Sequence, residues 1–381
     1  PGEASAASPP PPLRGHPPPE GVEILSLIQT LASADPAGFA GFEDIVDVRS
    51  PAEFAEDHVP GAVNLPVLDD DERARVGTIY VQESRFKARR LGAALVARNI
   101  ARHLEEGLRD KPGSWAPLVY CWRGGQRSNA FATVLEQVGW RPAVLAGGYK
   151  TYRRRVTAAL YDAEPDFRVV LLDGYTGVAK TEVLRRLEGL GVQTLDLEGL
   201  AAHRGSLFGA LPGHPQPHQK GFESALLARI DGLDRARPVV VEAESSKVGE
   251  LNVPPMLWKA MLAAPRIELA APPEARARYL TCAYGDIIAD PAALDDVLGK
   301  LPVHHGKERV AEWRTLAAVG DFTALAAGLI EHHYDPAYER SRRKETRPCV
   351  ELVALDDLEP ASLDAAATRI AESVERRSPS T

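Results

Sequence analysis

Cysteine is scarce in this 381-residue chain: Cys121, Cys282 and Cys349 lie far apart and are odd in number. That excludes a disulfide framework and a cysteine-rich metal site, and it points to a reducing compartment, the cytoplasm. Long apolar runs are lacking as well. No stretch approaches the roughly 20 residues that cross a bilayer, so no membrane attachment is expected. The opening residues have neither the basic start nor the apolar middle of a signal peptide. With Pro9 to Pro12 and Pro17 to Pro19 they read as a disordered tail over residues 1–21. The chain opens on Pro1 rather than Met, which leaves the true start open. A basic excess is missing too: the net charge is −8, so the chain as a whole lacks the usual electrostatic footprint of a nucleic-acid binder. His203, His214, His218, His304, His305, His332 and His333 show no helical two-histidine zinc spacing, and no structural metal is expected.

What is present is globular in composition, 44% hydrophobic and 26% charged, over a length that holds two ordinary domains. Residues 22–156 and 157–381 are the expected pair. Against the acidic total stand three local basic runs: Arg85, Lys87, Arg89 and Arg90; Lys150, Arg153, Arg154 and Arg155; and Arg340, Arg342, Arg343, Lys344 and Arg347. Each reads singly as a solvated helix face, and together they read as a surface for a phosphate backbone.

In the first half, Asp44 to Arg49 is a β-branched strand, and Ser50-Pro51-Ala52-Glu53 supplies an N-cap, a first-turn proline and a capping-box glutamate. His58-Val59-Pro60-Gly61-Ala62-Val63-Asn64 follows as a turn, and Ala143 to Leu145 is a later strand that runs out into Gly147-Gly148-Tyr149. Between them the strand Pro117 to Tyr120 leads into Cys121-Trp122-Arg123-Gly124-Gly125-Gln126-Arg127-Ser128 and then a helix over Asn129 to Leu135. Loop amides and a helix N-terminus converge on the sulfur in such an arrangement, and neighbouring guanidinium groups lower a thiol from its ordinary pKa of about 8.5. Cys121, Arg123 and Arg127 are the candidate catalytic residues; the plainer reading of a lone cysteine is a small buried core side chain.

This ordered set of motifs, over about residues 40 to 155, resembles the rhodanese family. The resemblance implies a cysteine, here Cys121, that carries sulfur or selenium as a persulfide or perselenide held by loop amides. The spacing from Cys121 to Arg127 and Ser128 is also that of cysteine phosphatases, although Tyr120 stands where classical tyrosine phosphatases carry histidine.

The second half opens on a strand, Phe167 to Asp173, followed by Gly174-Tyr175-Thr176-Gly177-Val178-Ala179-Lys180-Thr181 and an amphipathic helix over Glu182 to Leu190. Loops of this kind wrap phosphates with backbone N–H groups, the lysine reaching the terminal phosphates and the hydroxyl able to hold Mg²⁺. Gly174, Thr176, Gly177, Lys180 and Thr181 are the candidate phosphate-binding residues. Ala179 replaces the usual glycine before the lysine, a small cost if that position is helical. Arg237 to Ser246 reads as a buried strand whose period of two puts Glu242 and Glu244 on one face, as an acid/base pair, as partners of a metal-bound water, or as charges marking a strand end. Val350 to Val353 and a helix near Ser362 to Glu375 are expected to complete and cover the second sheet. The fold class is therefore α/β: a rhodanese-like parallel-sheet domain followed by a P-loop NTPase-like parallel-sheet domain.

Further runs in order, Glu72 to Tyr80, Asp196 to Gly209 and His333 to Tyr338, extend the likeness over about Glu43 to Arg340, and with both halves the chain resembles the tRNA 2-selenouridine synthase family. It departs at Gln126 (methionine expected), at Ala179 (glycine expected) and at Ser246-Lys247 (an arginine-bearing pair expected). The resemblance implies a transferase that replaces the sulfur of wobble 2-thiouridine in tRNA by selenium. Selenophosphate is the donor, and S-geranyl-2-thiouridine, made from geranyl diphosphate, is the intermediate. Its partners are then tRNA and a selenophosphate supplier, with no tightly bound cofactor and Mg²⁺ at most. A plain sulfurtransferase, a cysteine-dependent phosphatase with a regulatory second half, and a non-catalytic nucleotide-dependent RNA-binding module are the rivals. Which tRNAs are chosen and the oligomeric state are not readable from sequence.

Overall fold

The computed structural model describes residues 28–377 except 207, 244, 302–304, 344 and 345. The expected tail over 1–21, Glu244, His304 and Lys344 lie outside the described residues.

Two five-stranded parallel sheets organise the chain. The first is built from β1 (Gln29–Leu31), β2 (Asp44–Asp47), β3 (Ala62–Asn64), β4 (Pro117–Tyr120) and β5 (Ala143–Leu145), in the order β1-β5-β4-β2-β3. The second is built from β6 (Val169–Gly174), β7 (Gln193–Leu195), β8 (Val239–Glu242), β11 (Arg266–Ala270) and β12 (Cys349–Ala354), in the order β12-β11-β6-β8-β7; β9 (Lys247–Val248) and β10 (Leu251–Asn252) form a small separate hairpin. All pairings inside the two large sheets are parallel. Helices cover both faces of such sheets, so the central strands must be apolar throughout. Accordingly every residue of β4 and of β6 is buried. The α/β class expected from the sequence is the one observed, and both central strands end where their loops begin.

Six helices matter below: α1 (Gln126–Val138), α2 (Tyr149–Thr157), α3 (Lys180–Gly189), α4 (Gln219–Asp231), α5 (Pro273–Ala283) and α6 (Asp335–Arg342). The helix after Cys121 thus starts three residues earlier than the sequence suggests, at Gln126. Between β11 and β12 the chain builds a helical layer, from α5 to α6, with a core of its own that includes Leu298, Val310, Trp313 and Leu325. The chain then returns to the edge of the second sheet as β12, which pairs with β11, and Pro360–Glu375 packs over it. Among the described residues no helix is long and apolar enough to cross a membrane.

The two sheets share a core. α2 and the π-turn after it (Ala158–Asp162) insert Tyr149, Tyr152, Val156 and Leu160 into one apolar cluster that also holds Leu118 and Leu145 of the first sheet and Leu171 and Val241 of the second. Polar contacts close the same seam: Arg153 pairs with Glu223, Arg155 with Asp231 at 2.7 Å, Lys220 with Glu56 at 2.6 Å, and the Tyr149 hydroxyl donates to Asp57 at 2.7 Å. Burial raises the Asp57 carboxyl above its ordinary range, with Ser224, Tyr149 and Arg153 opposing that rise. Two of the expected surface arginines, Arg153 and Arg155, are therefore structural, because acidic residues of α4 draw them inward. Arg342 of the third basic run is likewise tied to Glu268, at 2.5 Å.

Candidate active sites

The cysteine loop is held by backbone packed against backbone. Gly124, at φ +60°, lies where an added Cβ would stand 2.5 Å from the Leu145 carbonyl oxygen; at Gly148, φ +58°, it would stand 2.1 Å from the Cys121 carbonyl oxygen. Only glycine fits either place. In return the Tyr149 and Lys150 amides donate to the carbonyls of Cys121 and Trp122 at 2.8 and 3.2 Å.

Cys121 is 4% exposed and packs beside Val48, Val119, Phe131 and Leu135. The Gly125 amide donates to it at 3.4 Å and the Ser128 hydroxyl lies 3.3 Å away. Burial would push the thiol up, yet the Ser128 hydroxyl and the amides of Ser128, Arg123 and Gly125 outweigh it and hold the thiol below its ordinary value. The two arginines do not supply this effect. Arg127 turns to Glu53, at 2.8 Å, and Arg123 is exposed with no side-chain partner among the described residues. The expected convergence of loop amides on the sulfur is observed, whereas the expected guanidinium contribution is replaced by the Ser128 hydroxyl. Arg49, buried on Asp47 at 2.7 Å and lying over the Tyr149 ring at 4.0 Å, carries no site signal in the sequence; it ties the end of β2 to α2.

The second loop joins β6 to α3 and carries its glycines at φ +150° (Gly174) and +85° (Gly177). Ala179 is at φ +62°, in the left-handed region, so the condition under which alanine costs little there is not met. An L-residue with a Cβ costs about 1–2 kcal/mol there. Lys180 curls back, its Nζ donating to the Gly174 carbonyl at 3.3 Å. Thr181 Oγ1 donates to Glu242 Oε1 at 2.8 Å and lies 3.2 Å from Glu198 Oε2. Glu242 ends β8 beside the loop strand and is fully buried; its Oε2 has no partner among the described residues. Burial, then the nearby Glu198 and Asp196, push its carboxyl up to about 8, while Lys180 and Thr181 pull the other way. The structure thus brings Glu242, Lys180 and Thr181 together and adds Glu198 and Asp196, which open the run Asp196 to Gly209. Among the described residues no group of three or more His, Cys, Asp or Glu is arranged as a metal cluster.

The helical layer closes over this loop. Arg276 of α5, 3% exposed, makes a forked pair with Asp335 at 2.9 and 2.6 Å and donates to the Thr176 carbonyl at 3.2 Å. The Tyr338 hydroxyl donates to Asp173 at 2.9 Å, its ring 4.3 Å from Tyr175. Arg276 carried no sequence signal; Asp335 and Tyr338 belong to the run His333 to Tyr338. Under these contacts lies an apolar pocket with Thr176 on its loop side and Phe208, Leu280, Tyr284, Leu329 and Tyr334 among its walls.

A sulfur at the end of one parallel sheet and a phosphate-type loop at the end of the next define a rhodanese-like domain joined to a P-loop domain. Residues 30–155 match the rhodanese-like domain family and residues 167–295 the tRNA 2-selenouridine synthase AAA domain family. The tRNA 2-selenouridine synthase of Sulfurovum sp. is 38% identical over 323 residues, 77% of this chain and 87% of that one. That of Psychromonas ingrahamii is 34% identical over 247 residues, 65% of this chain and 66% of that one, so the match takes in just under two thirds of the second relative's length. A solved structure, the N-terminal domain of an ATP/GTP binding protein from Clostridium difficile 630, is 34% identical, covers 29% of this chain and 87% of its own, and has a TM-score of 0.27. The chain belongs to the tRNA 2-selenouridine synthase family.

Proposed function

We propose that the protein exchanges the sulfur of 2-thiouridine at the wobble position of tRNA for selenium, in two steps that use its two loops. The observation that carries this reading is the apolar pocket bordering the P-loop at Thr176. An anionic head for the loop and a hydrocarbon tail for the pocket are what a prenyl diphosphate offers.

In the first step the thiocarbonyl sulfur attacks C1 of geranyl diphosphate and the C–O bond breaks. Gly174, Thr176, Gly177, Lys180 and Thr181 hold the departing diphosphate, as preorganised donors do for developing phosphate charge. Lys180 leaves the Gly174 carbonyl to reach the diphosphate. Thr181 with Glu242, whose second oxygen is unpartnered, would hold a Mg²⁺ that neutralises phosphate charge when bound. Alkylation makes the sulfur a good leaving group. In the second step selenium attacks C2 of the base, and geranylthiolate leaves with the electrons of the broken C–S bond. Selenophosphate carries selenium at the selenide level, and its phosphoryl group passes to water, so the exchange balances without an oxidant. Cys121, a soft sulfur whose thiol is lowered by its loop, serves this second step. Family membership suits a cytoplasmic enzyme supplied by a selenophosphate-making one.

The test is nucleoside mass spectrometry of 2-thiouridine tRNA incubated with geranyl diphosphate and then selenophosphate. Lys180→Ala should lose geranylation, while Cys121→Ser should keep geranylation and lose selenation, even on pre-geranylated tRNA. Full selenation by Cys121→Ser removes that residue from the reaction, and an unchanged nucleoside with the wild-type protein refutes the reading as a whole.

A further inference from the structure

Of the three basic runs, one borders a cavity lined by Trp122, the neighbour of Cys121 in the chain. Trp122, Tyr149, Lys150 and Arg154 line a cleft of about 430 Å³ at the seam of the two sheets, within the range of about 300–1,000 Å³ typical of ligand sites. Trp122 is the residue after the reactive sulfur. It is half-buried, tilted 30° against Tyr149 at a centroid distance of 5.2 Å, and its carbonyl accepts from the Lys150 amide at 3.2 Å. The aromatic wall is therefore fixed in register with Cys121.

The charges around it are unequal in freedom. Arg153, also on the wall, is neutralised by Glu223 and Asp57, and Lys220 by Glu56. Asp162 adds one carboxylate. Lys150 and Arg154 are exposed and have no carboxylate partner among the described residues; Arg154 bonds only within its own helix, to the Lys150 carbonyl and the Thr151 hydroxyl. Arg123, next along the chain from Trp122, is exposed as well and has no side-chain partner among the described residues. An aromatic face flanked by uncompensated cations suits a single-stranded nucleic acid, its base stacked on the ring and its phosphates on the cations.

We propose that this cleft receives the single-stranded anticodon loop of the RNA substrate, with a base on Trp122 and backbone phosphates on Lys150 and Arg154. The proposal rests on the reading above for the identity of the RNA, and it adds where that RNA docks. A base stacked here lies beside the Cys121 loop, and the shared core holds the P-loop in a fixed relation to the same cleft.

The experiment is fluorescence anisotropy of a labelled anticodon stem-loop RNA with the full chain across a salt series, with iodoacetamide reaction of Cys121 and thermal melting as checks on folding. Each lost phosphate contact removes roughly 0.7–0.9 from the slope of log affinity against log salt. The double variant Lys150→Glu/Arg154→Glu should bind at least about tenfold more weakly with a slope lower by about 1.4–1.8. Trp122→Ala should weaken binding about tenfold with little change of slope, and Trp122→Phe should restore most of it. Unchanged affinity and slope in the double variant would overturn the proposal, as would Trp122→Phe binding no better than Trp122→Ala while both melt like the wild type. Wild-type protein that binds through this cleft yet leaves 2-thiouridine unaltered supports the docking face and refutes the function proposed above.

Discussion

The two anion loops are built on the same plan, strand to loop to helix, and they are finished to different degrees. The backbone of the Cys121 loop is locked: its carbonyls accept from the Tyr149 and Lys150 amides, Gly124 interlocks with the Gly147-Gly148 turn, and Arg127, though not Arg123, is matched by Glu53. The P-loop holds a left-handed alanine, a lysine resting on its own loop carbonyl, and a buried carboxyl with one oxygen unpartnered. A site that must present one atom in one place is preorganised by packing. On the function proposed above, the second loop keeps groups whose partners arrive with a charged ligand and its cation.

The sharpest way to break this contrast is Gly148→Ala. Its Cβ would meet the Cys121 carbonyl at 2.1 Å, with no side chain that can give way, so a loss on the order of 3–5 kcal/mol in urea unfolding is expected. Gly177→Ala is the matched change in the other loop, where the nearest atoms belong to the flexible Leu280 side chain at 2.9 Å, and about 1–2 kcal/mol should be lost. Equal losses would erase the distinction.

Next in size is Glu242→Gln. The folded chain holds the Glu242 proton up to about 8, against an ordinary 4.5. The unfolded chain releases it first, so this group's contribution is full below about pH 4.5 and is lost as pH rises toward 8. Glutamine should therefore leave stability near pH 5 little changed and raise it at pH 9 by on the order of 3 kcal/mol. A melting-temperature profile parallel to the wild type between those pH values would show that the carboxyl is ionised already.

Ser128→Ala sharpens the first half of the comparison. Without that hydroxyl the thiol should titrate higher, and the iodoacetamide rate at neutral pH should fall about three- to tenfold. An unchanged rate profile would return the activation to the arginines. The smallest effect is expected of Ala179→Gly. Relief of the left-handed strain is partly offset by the freedom glycine gains when unfolded, leaving about 0.5–1 kcal/mol of added stability. A loss instead would mean that the alanine methyl, in the core cluster of the second sheet, matters more than its backbone strain.

Much of the fold was readable because its signals are local. Buried runs such as Val169 to Leu172 specify central parallel strands, Ser50 to Glu53 caps a helix, and β12 with the helix at Pro360–Glu375 was visible as a pattern. The handedness of Ala179 was not, since φ follows from how the loop closes against β11 and α3. Nor was the role of Arg276, whose helix reads as an ordinary surface helix until Asp335 is brought to it from 59 residues away.

Composition and motif order by themselves determined that this chain forms two parallel sheets, with a sulfur after one central strand and a phosphate loop after the other, because each of those features lies within a dozen contiguous residues. Tertiary structure alone decided which charges stay free. Arg153 is silenced by Glu223, 70 residues on, and Asp173 is bound by Tyr338, 165 residues on, while Lys150 and Arg154 are left exposed. It also decided where the apolar pocket meets the P-loop, because Thr176, Leu280 and Tyr334 become neighbours only when the helical layer folds back on the second sheet. Side-chain pairing and cavities depend on distances through space, and those exist only once the chain has closed on itself.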